Sequence, residues 1–120
     1  MSVFRTIPIQ VHAALEVIAA PLLMVAPFLF GFDYLAGALS IALGVLLTGL
    51  AASVYGDAER GNLPLNAHAG LDYTLAVATI AVGVIAGIRG DYAATVFLVG
   101  FGSGHLALTA STRFIRPLGA

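Results

Sequence analysis

"IPIQVHAALEVIAAPLLMVAPFLFG", residues 7–31, contains one glutamine, one histidine and one glutamate in an otherwise apolar run. About 20 apolar residues in a helix rising 1.5 Å per residue cross the hydrocarbon core of a bilayer, so this stretch is long enough to span one. Working outward, residues 35–55, 63–88 and 92–114 are three further stretches of similar character. The breaks between them are short: "GFDY" at 31–34 and "RGDY" at 89–92 read as tight turns, and "GDAERGNLP" at 56–64 is the longer hydrophilic loop. Pro8 and Pro64 fall at the first turn of the first and third stretches, where a missing N–H costs little. Pro21 and Pro27 lie inside the first stretch and predict a kink there. The expected fold is all-α, an integral membrane four-helix bundle.

Composition agrees. Of 120 residues, 60% are apolar and 9% are charged, against about 25% charged in an ordinary soluble domain. A formal net charge of −1 and arginines that form no stripe give no case for nucleic-acid binding. The chain has no cysteine, which removes disulfides, thiolate metal sites, iron–sulfur clusters and cysteine nucleophiles. The opening stretch begins after a single arginine but exceeds a signal-peptide core, and no small-x-small site precedes a polar region. It is therefore read as retained.

The third stretch echoes the first. "LPLNAHAGLD" (63–72) repeats the pattern of "IPIQVHAALE" (7–16): Pro8, His12, Ala13 and Leu15 match Pro64, His68, Ala69 and Leu71, and Glu16 faces Asp72. With a two-residue change of offset, Asp33, Tyr34, Ala36, Gly44, Ala52 and Ser53 match Asp91, Tyr92, Ala94, Gly102, Ala110 and Ser111. The expectation is one membrane domain over 1–120: a first helical hairpin at 7–55, a loop at 56–62 and a duplicate hairpin at 63–114. Two helices per unit keep both copies in the same orientation, a parallel rather than an inverted repeat.

At "APFLFGF" (26–32), followed by a polar turn and a glycine-containing second helix, the sequence resembles the SPW-repeat family of small bacterial membrane proteins. Ala26-Pro27-Phe28 stands where that family carries Ser-Pro-Trp, and the second half has Ala86-Gly87-Ile88 with no proline. The resemblance implies tandem two-helix units and carries over no functional residue.

Five ionisable groups lie at membrane depth: His12, Glu16, His68, Asp72 and His105. Such groups are costly in hydrocarbon and face the bundle interior. Residues i and i+4 share a helix face, so His12 with Glu16 and His68 with Asp72 form two polar stripes expected to face each other. Counted by helical rise, His105 lies about 4–5 Å from the level of Asp72 and about 10 Å from that of His68. The five groups are thus expected to line one inner shaft.

Three functions fit this set. One is a cofactor site: His12 and His68, with His105 as the third candidate, ligate haem b or a transition-metal ion. Glu16 and Asp72 then orient the rings or, for a bare metal, act as ligands themselves. Arg5, Arg60, Arg113 and Arg116 gather on one side and suit haem propionates, the frame of a redox or electron-transfer subunit. The second is an accessory subunit or homo-oligomer without a cofactor. Small residues four apart, Gly83/Gly87, Gly100/Gly104 and Ala38/Ala42, there serve close helix packing. The third is a proton-coupled carrier using the His/carboxylate chain, with Ser40, Thr79 and Thr95 beyond it. No nucleophile–base arrangement points to an enzyme.

Asp33 and Asp91 read as helix N-caps, and Tyr34 and Tyr92 as interfacial anchors. Four of the five arginines lie on the side of the termini, with Arg89 opposite, so the positive-inside rule expects cytoplasmic termini in a cell inner membrane.

Overall fold

A computed structural model of the chain describes residues 5–55 and 63–115. Four helices carry the fold: α1 (Ile9–Phe30), α2 (Tyr34–Ala52), α3 (Leu65–Ile88) and α4 (Tyr92–Ala110). All four are long and apolar enough to cross a membrane. The protein is an all-helical bundle with the composition of a multi-pass membrane protein. The hydrophilic loop from 56 to 62, with Arg60, and the end of the chain, with Arg116, lie outside the described residues.

The helix pairs α1/α2 and α3/α4 pack most extensively, while α2/α3 and α1/α4 close the bundle. Every face of these helices is apolar, so hydropathy does not tell inside from outside; size and polarity do. On α1 the buried residues include Ile9, His12, Ala13, Glu16, Ala20, Leu23 and Pro27, and on α4 they are Ala94, Leu98, Gly102, His105 and Thr109. These steps of three and four trace one face of a helix. Large apolar side chains point outward, with Ile18 70%, Phe28 78%, Ile88 81% and Val96 76% exposed. In a bilayer that outer surface meets lipid.

The helix boundaries depart slightly from the sequence reading. Ile7–Pro8 forms a short strand, β1, paired in parallel with β2 (Thr112–Arg113). Pro8 and Pro64 are N-caps rather than first-turn residues. Residues 111–115 do not extend α4. They turn back toward β1, and the Ile7 amide donates to the Ser111 carbonyl at 3.0 Å. At the opposite end, Asp33 and Asp91 cap α2 and α4 as expected, accepting from the amides of Ala36 and Ala94. The Asp91 carboxylate also accepts the Asp33 amide at 2.7 Å and so ties the two turns together. Arg89 lies 3.7 Å from Asp33. Tyr34 and Tyr92 are 93% and 71% exposed, as interfacial anchors require.

Helix α1 runs through both of its internal prolines. A proline frees the carbonyl four residues earlier; for Pro27 that is the carbonyl of Leu23, and the buried Ser40 hydroxyl donates to it at 2.6 Å. A neighbouring helix thus restores the bond that Pro27 removes, as a water-free core demands.

Close packing rests on two equivalent glycines. A Cβ on Gly44 would lie 2.6 Å from the Met24 side chain and 3.0 Å from the Ala20 carbonyl; one on Gly102 would lie 2.7 Å from Ile80 and 2.9 Å from the Ala76 carbonyl. Ala20 and Met24 stand at the same sequence offset from Ala76 and Ile80 that separates His12 from His68. The two hairpins therefore close through matching contacts. The small-residue pairs fare unevenly. Gly83 and Gly87 do pack, against Val99 and Thr95. A Cβ on Gly100 or Gly104 would meet nothing within 4 Å, and Ala38 and Ala42 are exposed. Their spacing places those pairs on outward faces.

Gly102→Ala and Gly44→Ala are each expected to lower stability by about 1–3 kcal/mol through overpacking. Gly49→Ala, where an added Cβ meets open space, is expected to be neutral or slightly stabilising. Reversible unfolding of the detergent-solubilised protein reads the difference.

Candidate metal centre

The five ionisable groups singled out in the sequence meet in one place. His12 and Glu16 come from α1, His68 and Asp72 from α3, and His105 from α4; all five are buried, Asp72 and both helix-start histidines completely. The stripes of α1 and α3 face each other across the diagonal of the bundle. His12 Nε2 lies 2.9 Å from Asp72 Oδ2 and 3.2 Å from Glu16 Oε2. His68 Nε2 lies 3.1 Å from Asp72 Oδ2 and 3.5 Å from Glu16 Oε1. His105 Nε2 reaches both acids, at 2.9 Å from Glu16 Oε2 and 3.2 Å from Asp72 Oδ1. The shaft expected from helical rises is a compact column, with His12 and His68 toward the termini, the carboxylates next and His105 beyond.

The proton positions follow from two hydroxyls that the sequence reading did not assign to the site. The Thr112 hydroxyl donates to the Leu108 carbonyl at 2.6 Å, so toward His12 Nδ1, 2.7 Å away, it can only accept. The Ser53 hydroxyl donates to the Leu50 carbonyl at 2.6 Å and accepts from His68 Nδ1 at 3.3 Å. Both rings therefore carry a proton on Nδ1. In a neutral imidazole the other nitrogen, Nε2, then presents a lone pair. Both lone pairs point at ionisable carboxylates, which are also acceptors. Acceptors at about 3 Å repel unless a positive particle, a proton or a metal ion, lies between them.

The site is also enclosed by apolar side chains. On the side of the termini, Phe114 packs on both rings, its centroid 5.2 Å from that of His12 and 6.0 Å from that of His68. Ile9, Ala13 and Val54 surround that layer. On the other side Ala20, Leu23, Leu47 and Leu98 belong to the main apolar core. Two atoms of the site, His68 Nε2 and Glu16 Oε1, are buried with no hydrogen-bond partner. An unpaired buried polar atom costs about 1–3 kcal/mol, and these two lie 3.5 Å apart.

His12, Glu16, His68 and Asp72 each offer one donor atom, and those atoms all lie within 4.8 Å of one another. Donors bound at about 2.1 Å to one ion are separated by about 3.0–3.4 Å along a polyhedral edge, close to the 2.9–3.5 Å between the nitrogens of His12 and His68 and the carboxylate oxygens. Between the centre and the far turns the buried and half-buried hydroxyls are committed to backbone carbonyls, while the Thr109 hydroxyl, buried on the terminal side of His105, has no hydrogen-bond partner. Thr79 donates to Leu75, Thr95 to Gly83 and Ser40 to Leu23. Among the described residues they leave no polar path from the column to the far turns.

Ser53 and Thr112 carried a faint sequence signal. Each sits just past the last turn of an even-numbered helix, Ser53 in the aligned Ser53/Ser111 pair and Thr112 one residue after it. Phe114 carried none.

Comparison with known protein families, with curated proteins and with solved structures gives no match in any of the three. What the centre does must be argued from its own geometry.

Nitrogen-15 spectra of histidine-labelled protein are expected to show His12 and His68 protonated at Nδ1. Thr112→Val removes the acceptor at nearly constant volume. It should abolish that preference at His12 and leave His68 unchanged.

Proposed function

We propose that the protein binds a first-row divalent transition-metal ion, such as iron, manganese or zinc, within the membrane. His12, His68, Glu16 and Asp72 are the ligands. The single observation that carries this is the convergence of two Nε2 lone pairs and two carboxylates on one buried point, with both Nδ1–H groups already committed to hydroxyls. A histidine ligand characteristically donates its second nitrogen in this way, which fixes ring orientation and tautomer. Mixed imidazole and carboxylate donors suit these metals better than calcium or magnesium. Two carboxylates balance a divalent charge, so the loaded site is neutral in a medium that penalises net charge.

His105 completes the arrangement by donating from Nε2 to Glu16 and Asp72. It positions the carboxylates and stands ready as a further ligand. Haem b fits less well. Glu16 and Asp72 fill the space between the His12 and His68 rings, where a porphyrin would have to lie. The committed hydroxyls of Ser40, Thr79 and Thr95 count against a proton relay through the bundle. With iron or manganese the site would serve a redox or electron-transfer subunit; with zinc it would lock α1 to α3.

The paired glycine cradles and paired hydroxyl–imidazole bonds support descent of the two hairpins from one duplicated unit, as the likeness to tandem two-helix proteins implies. The arginine distribution supports cytoplasmic termini in an inner membrane.

Elemental analysis after purification in mild detergent, without chelator, should find one equivalent of metal per chain. His12→Ala, His68→Ala and Asp72→Asn should each abolish it. His105→Ala should weaken it by about 10–100-fold, the usual effect of removing a supporting partner. Metal-free protein whose stability survives replacement of all five groups by apolar residues would overturn the assignment in favour of an accessory subunit. Since Phe114 closes the site toward the termini, Phe114→Ala should speed metal release to a chelator while leaving the metal content at purification unchanged.

A further inference from the structure

A cleft joins the lipid-facing surface of the described residues to the buried column. It lies between α1 and α4, has a volume of about 370 Å³, and is lined by apolar side chains apart from Glu16 and His105. Its rim includes Ile18 and Leu22, which are 70% and 53% exposed. Its floor includes Leu47, Glu16 and His105, and His105, 7% exposed, is the most accessible of the five ionisable groups. By its register on α1, between Leu15 and Leu22, the cleft opens within the hydrocarbon layer and not toward water. Gly104 lies on its wall, and a Cβ there would meet nothing within 4 Å. Residue 104 thus contributes no side chain to fill the gap.

We propose that this cleft binds a bilayer-soluble ring compound bearing carbonyl or hydroxyl oxygens, of the quinone or quinol class. An occupant must arrive through lipid, so it is lipophilic. Apolar walls with a few convergent polar groups are what a small-molecule site needs to fix orientation. At the floor a carboxylate accepts, and His105, whose Nε2 proton is given to the acids, has Nδ1 left to accept from a ring hydroxyl or, in an imidazolium, to donate to a ring carbonyl, which matches ring oxygens rather than a bare acyl chain. Phe101 lines the same cleft and offers an aromatic face to a planar ring. The volume suits one substituted ring and is too small for a porphyrin. The site uses the outer edge of the same Glu16 and His105, and it does not require the metal to be present.

The test is binding of decylubiquinone to the whole protein in lipid nanodiscs, by titration calorimetry, with metal content measured on the same samples. Wild type should bind saturably. Gly104→Leu, which places its side chain in the open space, should weaken binding about tenfold or more at unchanged metal content. Gly100→Leu, equally open but outside the cleft, should bind as wild type. A ten-carbon alcohol of the same tail length should fail to compete. No saturable binding, equal binding by Gly104→Leu, or full competition by the alcohol would each overturn the proposal. So would conversion of a dimer to a monomer by Gly104→Leu with probe binding unchanged, which would make the face a contact between copies. Loss of metal with retained probe binding would count against the metal assignment alone.

Discussion

In a medium without water, a polar group must find its partners inside the protein, and that constraint organises this molecule. Two histidines and two acids placed on helices α1 and α3 have nowhere to go but toward one another. Either stripe turned outward would put an imidazole and a carboxylate into hydrocarbon, at a cost of several kcal/mol. Each stripe therefore fixes the rotation of its helix. Once Glu16 points inward, the steps of three and four from it place Ile9, His12, Ala20, Leu23 and Pro27 on the same side. The same stepping from His105 brings Ala94, Leu98, Gly102 and Thr109 inward on α4. Small residues then fill the positions where helices approach most closely, and the large apolar side chains remain for lipid. The polar column is thus the reference from which the packing of the whole bundle can be generated.

The same constraint explains the treatment of the backbone and the hydroxyls. Pro27 removes an amide from α1, and Ser40 on α2 supplies a hydroxyl to the carbonyl left behind. Thr112 and Ser53 spend their protons on carbonyls of their own segments and keep a lone pair for an imidazole. Each hydroxyl is used once as a donor, and that assignment dictates the proton on each ring. The chemistry of the centre follows from this bookkeeping. A ring whose Nδ1 is committed has only Nε2 left, and for His12 and His68 it points into the column.

The four spans, the tight turns and their caps were legible in the sequence because each depends on local chemistry: apolar length, a glycine, an aspartate before a helix. The two polar stripes were legible because four residues nearly complete one helical turn. The turn-back of residues 111–115 was not, since it depends on a two-residue strand pairing across a hundred positions, and with it went the roles of Thr112 and Phe114. Small-residue spacing did not separate Gly83/Gly87, which pack inside the bundle, from Ala38/Ala42 and Gly100/Gly104, which face outward. A pair four apart defines a face but not its direction, and in a helix apolar all round no contrast in hydropathy supplies one. Gly102 differs from its neighbours Gly100 and Gly104 only in pointing the same way as His105.

His105 breaks the matched arrangement of the hairpins. The glycine cradles, the aspartate caps and the hydroxyl–imidazole bonds occur twice, but the position that aligns with His105 in the first hairpin is Leu47. A structure with strict two-fold equivalence would offer two alike imidazoles and two alike acids, and its centre would be closed equally on both sides. The third imidazole adds a partner for the carboxylates on one side only. That side is also where Gly104, one residue away, leaves the wall open to lipid and where Leu47 forms part of the floor. Symmetry supplies a buried donor set, and the departure from it supplies an entrance. A centre meant only to fasten α1 to α3 would need the first and gain nothing from the second. The odd histidine thus coincides with a cleft that reaches the column, as the exchange with the bilayer proposed above requires.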